Sequence, residues 1–381
     1  MLTIEMLPAN EGDALWLEYG EGDTPQYRLL IDCGRTNAYH AVKDRLQAAI
    51  DAGAPLELEL FVLTHVDEDH IYGSVRLIAD RRLDPTRVGD VWFNDYHHFA
   101  GHAPEDTLGA EQGEFFGALL RDRGFPWNAA FERGAVMVPD DGPLPTHTLP
   151  SGMKLTLLSP TSERMTAMKA EWEAQLDDDE DPLTPGDWEA ALERFADEAR
   201  LQPDALGAAD WTEEWDASDF DTYATEPLDE DTKAPNGSSI AFVLEYGDAR
   251  VLLTGDAFPS VLAAGLERYR TERQLSGPIP FDAIKLSHHG SKNNVSEELL
   301  ALVACDHWLV STNGSRHHHP SPETIARVIE ASAAPHLYFN YVSDETEVWD
   351  DEDLADERSY EATFGSDGQL VVPIVPIVEA S

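Results

Sequence analysis

The chain has 381 residues, 42% of them hydrophobic and 9% aromatic, enough for a substantial core, and no apolar run long enough to span a membrane. Its 73 Asp and Glu against 26 Lys and Arg give a net charge of −47, which repels long nucleic acid and anionic membranes over most of the surface. Cys33 and Cys305 lie far apart and without metal-ligand spacing, which leaves neither a disulfide framework nor a thiolate zinc site, so any metal must be held by His and carboxylates.

The opening "MLTIEMLPANEGD" has no basic head, apolar core or cleavage site, so the expectation is a soluble, cytoplasmic protein. From Leu2 to Gly34 three short apolar runs, "LTIEMLP", "ALWLEYG" and "YRLLIDCG", are separated by Gly, Asp and Pro and predict an antiparallel meander. Val42, Leu46 and Ile50 recur at helical spacing, predicting a helix over about Ala38 to Ala52. "LELFVL" then predicts a buried strand ending at Thr64, and "YGSVRLIADRR" a helix.

Further strands are predicted at "VGDVWFN", "AVMVP", "KLTLLSP", "SIAFVLEYG", "ARVLLTGD", "AIKLSHHG", "HWLVSTNG", "HLYFNY" and "LVVPIVPIV". Helices at "SEELLALVA" and "SPETIARVIEAS" fall between the "AIKLSHHG", "HWLVSTNG" and "HLYFNY" strands. Strands interleaved with helices suit two sheets covered by outer helices. One region departs from the pattern. Between Glu171 and Asp231 acids crowd the chain and the only basic residues are Arg194 and Arg200. Within it "DWEAALERFADEARL" puts Trp188, Leu192 and Phe195 on one helical face. Residues 161–235 are expected to form an acidic, partly helical insertion in a single 1–381 domain. A second acidic run, "SDETEVWDDEDLADE", is expected to be a solvated face.

The stretch "LTHVDEDHIYG" sets His65, Asp67, Asp69 and His70 on a strand-to-helix turn, where alternate side chains can converge on one point. Mixed imidazole and carboxylate donors suit zinc, and carboxylates also suit manganese. Other strands end in similar residues: "VLLTGDAF" at Asp256, "IKLSHHGS" at His288 and His289, and "NGSRHHHPSPE" at His317, His318 and His319. Strands that repeatedly end in ligand-type residues point to one shared site at a sheet edge.

In their order, "LLIDCG", "LTHVDEDHIYG", "NGSSIAFVLEYGDARVLLTGDA", "KLSHHGSKNNVSEELL" and "HHHPSPETI" resemble the metallo-β-lactamase superfamily, and within it the soluble hydrolase domain of the ComEC/Rec2 competence proteins. The resemblance implies an αββα sandwich of two mixed β-sheets with outer helices. It implies two divalent ions, zinc first and manganese as the alternative. By carry-over His65 and Asp67 would bind the first ion, Asp69 and His70 the second, Asp256 would bridge, and one of His288 and His289 would complete the second site. Asp67 stands where the usual signature has a second histidine, which makes the first site more negative. Asp32 matches a motif that supports the metal loop, and His319 a histidine near the substrate.

The superfamily's third motif usually supplies one more histidine, and no single residue matches it. Asn94, Asp95, His97, His98 and His102 in "WFNDYHHFAGH", and His147, are the candidates, with the "NDYHH" group favoured. Two ions about 4 Å apart would activate a water as the nucleophile, with Asp69 accepting its proton and His319 stabilising charge or protonating the leaving group. Lys285 and Lys292, with Asn236 and Ser238 in "NGSS", are candidate substrate contacts.

The expected function is hydrolysis of a phosphodiester in a nucleotide or short nucleic acid. The charge disfavours longer strands and membranes. Hydrolysis of a lactone, lactam or thioester is the second reading. A partner-regulated or degenerate metal module, docking a protein through the acidic insertion, is the third.

Overall fold

The protein is described here by a computed structural model covering residues 1–54, 56–100, 111–177, 188–198 and 220–376. Its strands are β1 Leu2–Met6, β2 Leu15–Tyr19, β3 Tyr27–Ile31, β4 Leu60–Val62, β5 Val91–Trp92, β6 Thr146–Thr148, β7 Lys154–Ser159, β8 Ala241–Tyr246, β9 Ala249–Leu253, β10 Ile279–Pro280, β11 Ala283–Lys285, β12 Val303–Ala304, β13 His307–Val310, β14 His336–Phe339, β15 Glu361–Phe364 and β16 Leu370–Pro373. The first sheet runs β16-β1-β2-β3-β4-β5, antiparallel up to β3 and parallel from β3 to β5. The second runs β15-β14-β13-β11-β9-β8-β7-β6, parallel from β15 to β9 and antiparallel beyond. β10 and β12 form a short separate pair.

The near-continuous apolar runs follow from burial of both sheet faces. Along the first sheet Leu15, Leu17, Leu29, Ile31, Leu60 and Val62 face the core shared with the second sheet. Their neighbours Trp16, Leu30, Phe61 and Leu63 face an outer core under the helices. Parallel neighbours need a crossover, and helices Thr36–Asp51 and Glu68–Ala79 supply it for β3 to β4 and β4 to β5. Helices Pro259–Glu272 and Pro322–Ala331 do the same between β9 and β11 and between β13 and β14. These are the two mixed sheets and outer helices of the expected αββα sandwich. Among the described residues no helix is long and apolar enough to cross a membrane.

Several local expectations need correction. The helix after β4 begins at Glu68, so Asp69 and His70 lie in its first turn rather than ahead of it. "AVMVP" is no strand: Val138 makes a single bridge to Thr161, and the Val136 backbone is paired by a side chain. Of the 161–235 segment, 178–187 and 199–219 lie outside the described residues, as does the side chain of Trp188. Helix Ser162–Asp177 buries Met165, Met168 and Trp172 in the outer core. Helix Trp188–Glu198 buries Ala191 and sets Phe195 5.5 Å from the Phe115 ring. The second acidic run forms helices Asp344–Glu347 and Glu352–Arg358, which keep Trp349 and Leu354 buried under their acids.

Candidate metal centre

The parallel strands β4, β9, β11 and β13 release the chain at one edge of the sandwich, where ligands bind in open α/β sheets. Just past β4 come Thr64 and His65, past β9 Asp256, and past β11 His288 and His289. The edge is stitched across the two sheets by the Ile240 N–H, which donates to the Thr64 carbonyl at 3.0 Å.

Asp256 is buried at the middle of the cluster. Its Oδ2 lies 3.6 Å from His65 Nε2, 3.5 Å from His70 Nε2, 3.7 Å from His288 Nε2 and 3.9 Å from His289 Nε2. Asp67 Oδ2 is 3.9 Å from His65 Nε2, while Asp69 Oδ2 is 3.9 Å from His70 Nε2 and 3.3 Å from His289 Nε2. Donors placed tetrahedrally about 2.1 Å from one zinc ion stand roughly 3.4 Å apart, so these separations are those of co-ligands and slightly wider. The Nε2 atoms of His65, His70 and His289 and Oδ1 of Asp256 are buried without a hydrogen-bond partner. Leaving such a group unsatisfied costs about 1–3 kcal/mol. Three such imidazole nitrogens around Asp256 fit a divalent cation. His65, His70 and Asp256 form one group of potential ligands, and Asp69, His70 and His289 another.

Each imidazole is turned by a bond at its other nitrogen, the arrangement that leaves Nε2 as the coordinating atom. His70 Nδ1 lies 2.7 Å from Asp32 Oδ2, which also accepts the Thr64 hydroxyl at 2.7 Å. His65 Nδ1 lies 2.9 Å from that hydroxyl, so Asp32 orients His70 directly and His65 through Thr64. Asp32 Oδ1 accepts the Thr64 N–H at 2.7 Å. His289 Nδ1 faces the Ser311 carbonyl at 3.0 Å, with Asp13 Oδ1 at 3.5 Å. His288 Nδ1 faces Asn294 Oδ1 at 2.9 Å, with Asp231 Oδ2 at 3.4 Å.

Consecutive side chains of a strand point to opposite faces, yet His288 and His289 both reach Asp256. The turn after β11 achieves this by holding both in the left-handed region, at φ +49° and +54°. Non-glycine residues there cost on the order of 1–3 kcal/mol each and persist where surrounding contacts impose them. Gly73, which closes the "LTHVDEDHIYG" stretch, is required by close approach: a Cβ there would lie 1.9 Å from the Cys33 carbonyl oxygen. That contact seats the His70 helix against the loop carrying Asp32.

Burial, and then His70, push the His65 imidazole down to about 4. Burial, and then Asp69 and Asp256, push the Asp67 carboxyl up to about 7. For His70 burial acts downward, but Asp256, Asp32 and Asp69 outweigh it and hold the ring well above its ordinary value. His289 is carried up to about 9 against burial by Asp13 and Asp256. Burial would raise Asp69 and Asp256, but the surrounding imidazoles hold both well below the carboxylate range. A cluster that shares protons this way exchanges them for cations, so loading with metal releases protons.

Beside His288 opens a cleft of about 280 Å³ lined by Asp231, Lys233, Lys292, His317, His319 and their neighbours. The His319 ring is 5.3 Å from that of His288, at the edge of the cluster. Burial and the nearby His288 and His289 hold His319 well below its ordinary pKa. His318 points elsewhere, with Nδ1 2.7 Å from Glu345 Oε1. Lys292 lines the cleft but is paired with Glu323 at 2.9 Å and Glu226 at 3.5 Å.

Other expected contacts are turned inward. Asn236 is buried and donates to Asp231 Oδ2 at 2.6 Å, and the buried Ser238 hydroxyl donates to the Pro235 carbonyl at 2.7 Å. Lys285 is no substrate contact: its ammonium is buried 2.9 Å from Asp13 Oδ2. Among the third-motif candidates, Asn94 pairs the Val136 backbone at 2.8 Å in both directions, and Asp95 pairs with His98 at 2.6 Å. His147 lies on β6 with its ring 5.9 Å from that of Trp92, and His102 is outside the described residues. Sequence reasoning missed Asp13, Asp231 and Lys233, whose places near the cluster arise only from tertiary contact, and Thr64 and Asn294, which stand close to His65 and His288 in sequence but carry no ligand pattern.

Two mixed sheets under helices, with a His and Asp cluster at strand ends, define a metallo-β-lactamase fold around a candidate metal centre. The family model described as "Metallo-beta-lactamase superfamily" matches residues 185–314. No curated protein matches the chain. Among solved structures it is similar to the metallo-beta-lactamase fold protein YhfI from Bacillus subtilis, at 10% identity and TM-score 0.40, covering 98% of this chain and 100% of that one. It is also similar to a putative metal-dependent hydrolase from Parabacteroides distasonis, at 11% identity and TM-score 0.35, covering 96% and 92%. A third is the short form of human tRNase Z, at 9% identity and TM-score 0.37, covering 98% and 100%. Similarity this distant transfers no activity to the present chain.

Proposed function

We propose that the chain is a binuclear metal-dependent hydrolase of phosphodiester bonds, acting on a nucleotide or short nucleic acid. The observation that carries the reading is that one buried carboxylate, Asp256, stands 3.5–3.9 Å from four imidazole nitrogens, with Asp67 beside His65 and Asp69 beside His70 and His289. One ion would then take His65, Asp67 and His288 and the other Asp69, His70 and His289, with Asp256 common to both. His288 supplies the donor that the superfamily's third motif would otherwise bring. Two imidazoles, one private carboxylate and one shared carboxylate per ion suit zinc, with manganese the alternative. The ordered motifs favour the ComEC-like branch.

When bound, two such cations would polarise a phosphoryl oxygen and acidify a water for in-line attack. The chain's own groups do the rest. Against two divalent charges, the three ligand carboxylates Asp67, Asp69 and Asp256 would leave one net positive charge within the ligand shell itself. Asp69, kept ionised by His70 and His289, can accept a hydrogen bond from the attacking water through a carboxylate oxygen. His319, held below its ordinary pKa by burial and by His288 and His289, is placed to donate a hydrogen bond to a developing anion. The orienting bonds of Asp32, Thr64, Ser311 and Asn294 hold the four imidazoles ready before substrate arrives.

The test is a panel containing bis(p-nitrophenyl) phosphate, cyclic and linear dinucleotides, a lactone, a β-lactam and a thioester, run with zinc- and manganese-loaded protein and with Asp256→Asn. Diester turnover lost in the variant supports the reading. Turnover of the lactone, lactam or thioester without any diester turnover overturns it.

A further inference from the structure

Every other cation near the metal cluster is neutralised. Lys285 is buried against Asp13, Lys292 is paired with Glu323 and Glu226, and Arg316 is paired with Glu68. Lys233 differs. It lines the cleft beside His288, its side chain is exposed, and among the described residues it has no ion-pair partner. An unpaired ammonium set into a cleft is unexpected in a chain of net charge −47.

Its position is fixed by the metal centre. The Lys233 N–H donates to Asp231 Oδ1 at 2.9 Å, while the other oxygen of Asp231 sits 3.4 Å from His288 Nδ1. Helix Ala234–Gly237 starts immediately after it and carries Asn236, which donates to the same Asp231. The backbone of Lys233 is thus tied through one carboxylate to a proposed metal-binding imidazole.

We propose that Lys233 forms, with His317 and His319, an anion subsite that holds a phosphate group of the substrate against the metal centre from the cleft side. The proposal rests on the phosphodiester reading for its choice of anion. The cleft of about 280 Å³ admits one such group and its immediate substituents, not a tract of strand. A small or terminal phosphate ester suits the subsite best, since a long polyanion meets repulsion elsewhere on the surface. Lys292, already neutralised by two glutamates, contributes little charge of its own to this subsite.

The experiment is isothermal titration of the zinc-loaded full chain with inorganic phosphate at low and at physiological salt, with zinc content measured for each protein. The proteins are wild type, Lys233→Met, Lys233→Arg and Lys292→Met. A lost charge-assisted bond predicts that Lys233→Met weakens phosphate about tenfold or more, with a shallower salt dependence. Lys233→Arg should stay close to wild type and Lys292→Met should lose less. Equal affinity in Lys233→Met and wild type, or no phosphate binding by wild type, overturns the subsite. So does a variant whose zinc content changes while its phosphate affinity at saturating zinc does not, since Lys233 would then only balance the acids of the centre. Hydrolysis of bis(p-nitrophenyl) phosphate, measured separately, distinguishes the two ideas. Turnover with Lys233-independent phosphate binding overturns the subsite alone, and Lys233-dependent binding without turnover of any diester supports the subsite while overturning the phosphodiesterase reading.

Discussion

Replacing Asp32 with Asn tests whether one buried carboxylate sets the protonation of the imidazoles in the candidate metal centre. Asp32 is fully buried and accepts the Thr64 N–H, the Thr64 hydroxyl and the His70 Nδ1 proton, each at 2.7 Å. Asn offers one acceptor and one NH2 group in the same volume. If the NH2 faces the Thr64 N–H, two donors meet in a buried site. If it faces His70, Nδ1 must accept, and the ring proton moves to Nε2, the atom 3.5 Å from Asp256 Oδ2. The first arrangement strands the Thr64 N–H next to His65 but leaves His70 its acceptor, whereas the second puts a proton on the His70 atom that faces Asp256. Loss of an orienting carboxylate typically costs about 10–100-fold in metal affinity, which is roughly 1.4–2.7 kcal/mol. Zinc competition against a chromophoric chelator, starting from stripped protein, reads this directly, and the nitrogen chemical shifts of His70 report the tautomer. Thr64→Val should weaken zinc as well, by removing the acceptor of the His65 Nδ1 proton. An Asp32→Asn protein with wild-type zinc affinity and an unprotonated His70 Nε2 would refute the orienting role.

Gly12→Ala places a methyl carbon 1.8 Å from the Asp69 carbonyl oxygen, a backbone atom that cannot turn aside. The variant should lose about 1–3 kcal/mol in urea unfolding and bind fewer ions per chain by elemental mass spectrometry; full metal content would show that the turn yields without moving Asp69. Asp13 gives a pH test. Burial would raise its carboxyl, but Lys285 and His289 outweigh burial and hold it below the usual range. A depressed carboxyl contributes stability that is present above its unfolded value, here 3.8, and is lost as pH falls toward the folded one. The gap in unfolding free energy between wild type and Asp13→Asn should therefore be full at pH 7 and narrow below about pH 4. A gap that stays constant over that range would contradict the pairing.

Much of the architecture was readable because burial on both sides leaves its mark on local sequence. "LTIEMLP", "ALWLEYG" and "YRLLIDCG" became β1, β2 and β3 of an antiparallel meander, and the two helices after "AIKLSHHG" and "HWLVSTNG" stand where apolar spacing put them. Short edge elements were not readable: β6, β10, β12 and β15 are only two to four residues long and carry little pattern. "AVMVP" misled because Val136 and Val138 are buried like strand residues while the Asn94 amide replaces a neighbouring strand. In the candidate centre, the residues that could be found were those crowded at strand ends. Asp13 and Asp231 could not be found, since each stands among other acids in a loop and its histidine partner lies far along the chain. That both His288 and His289 reach Asp256 was not legible either, because a doublet in a strand would present only one ring to a given face.

That doublet gives the turn after β11 two opposite characters. If both rings hold cations, coordination would offset part of the cost of the left-handed backbone at His288 and His289. Without cations that cost rests on the contacts of the two rings with Asn294 and the Ser311 carbonyl. A ligand that binds only the folded chain stabilises it in proportion to the logarithm of its concentration over its dissociation constant. A centre of this kind would make the stability of the chain depend on the supply of metal, and part of that dependence would pass through the turn at His288.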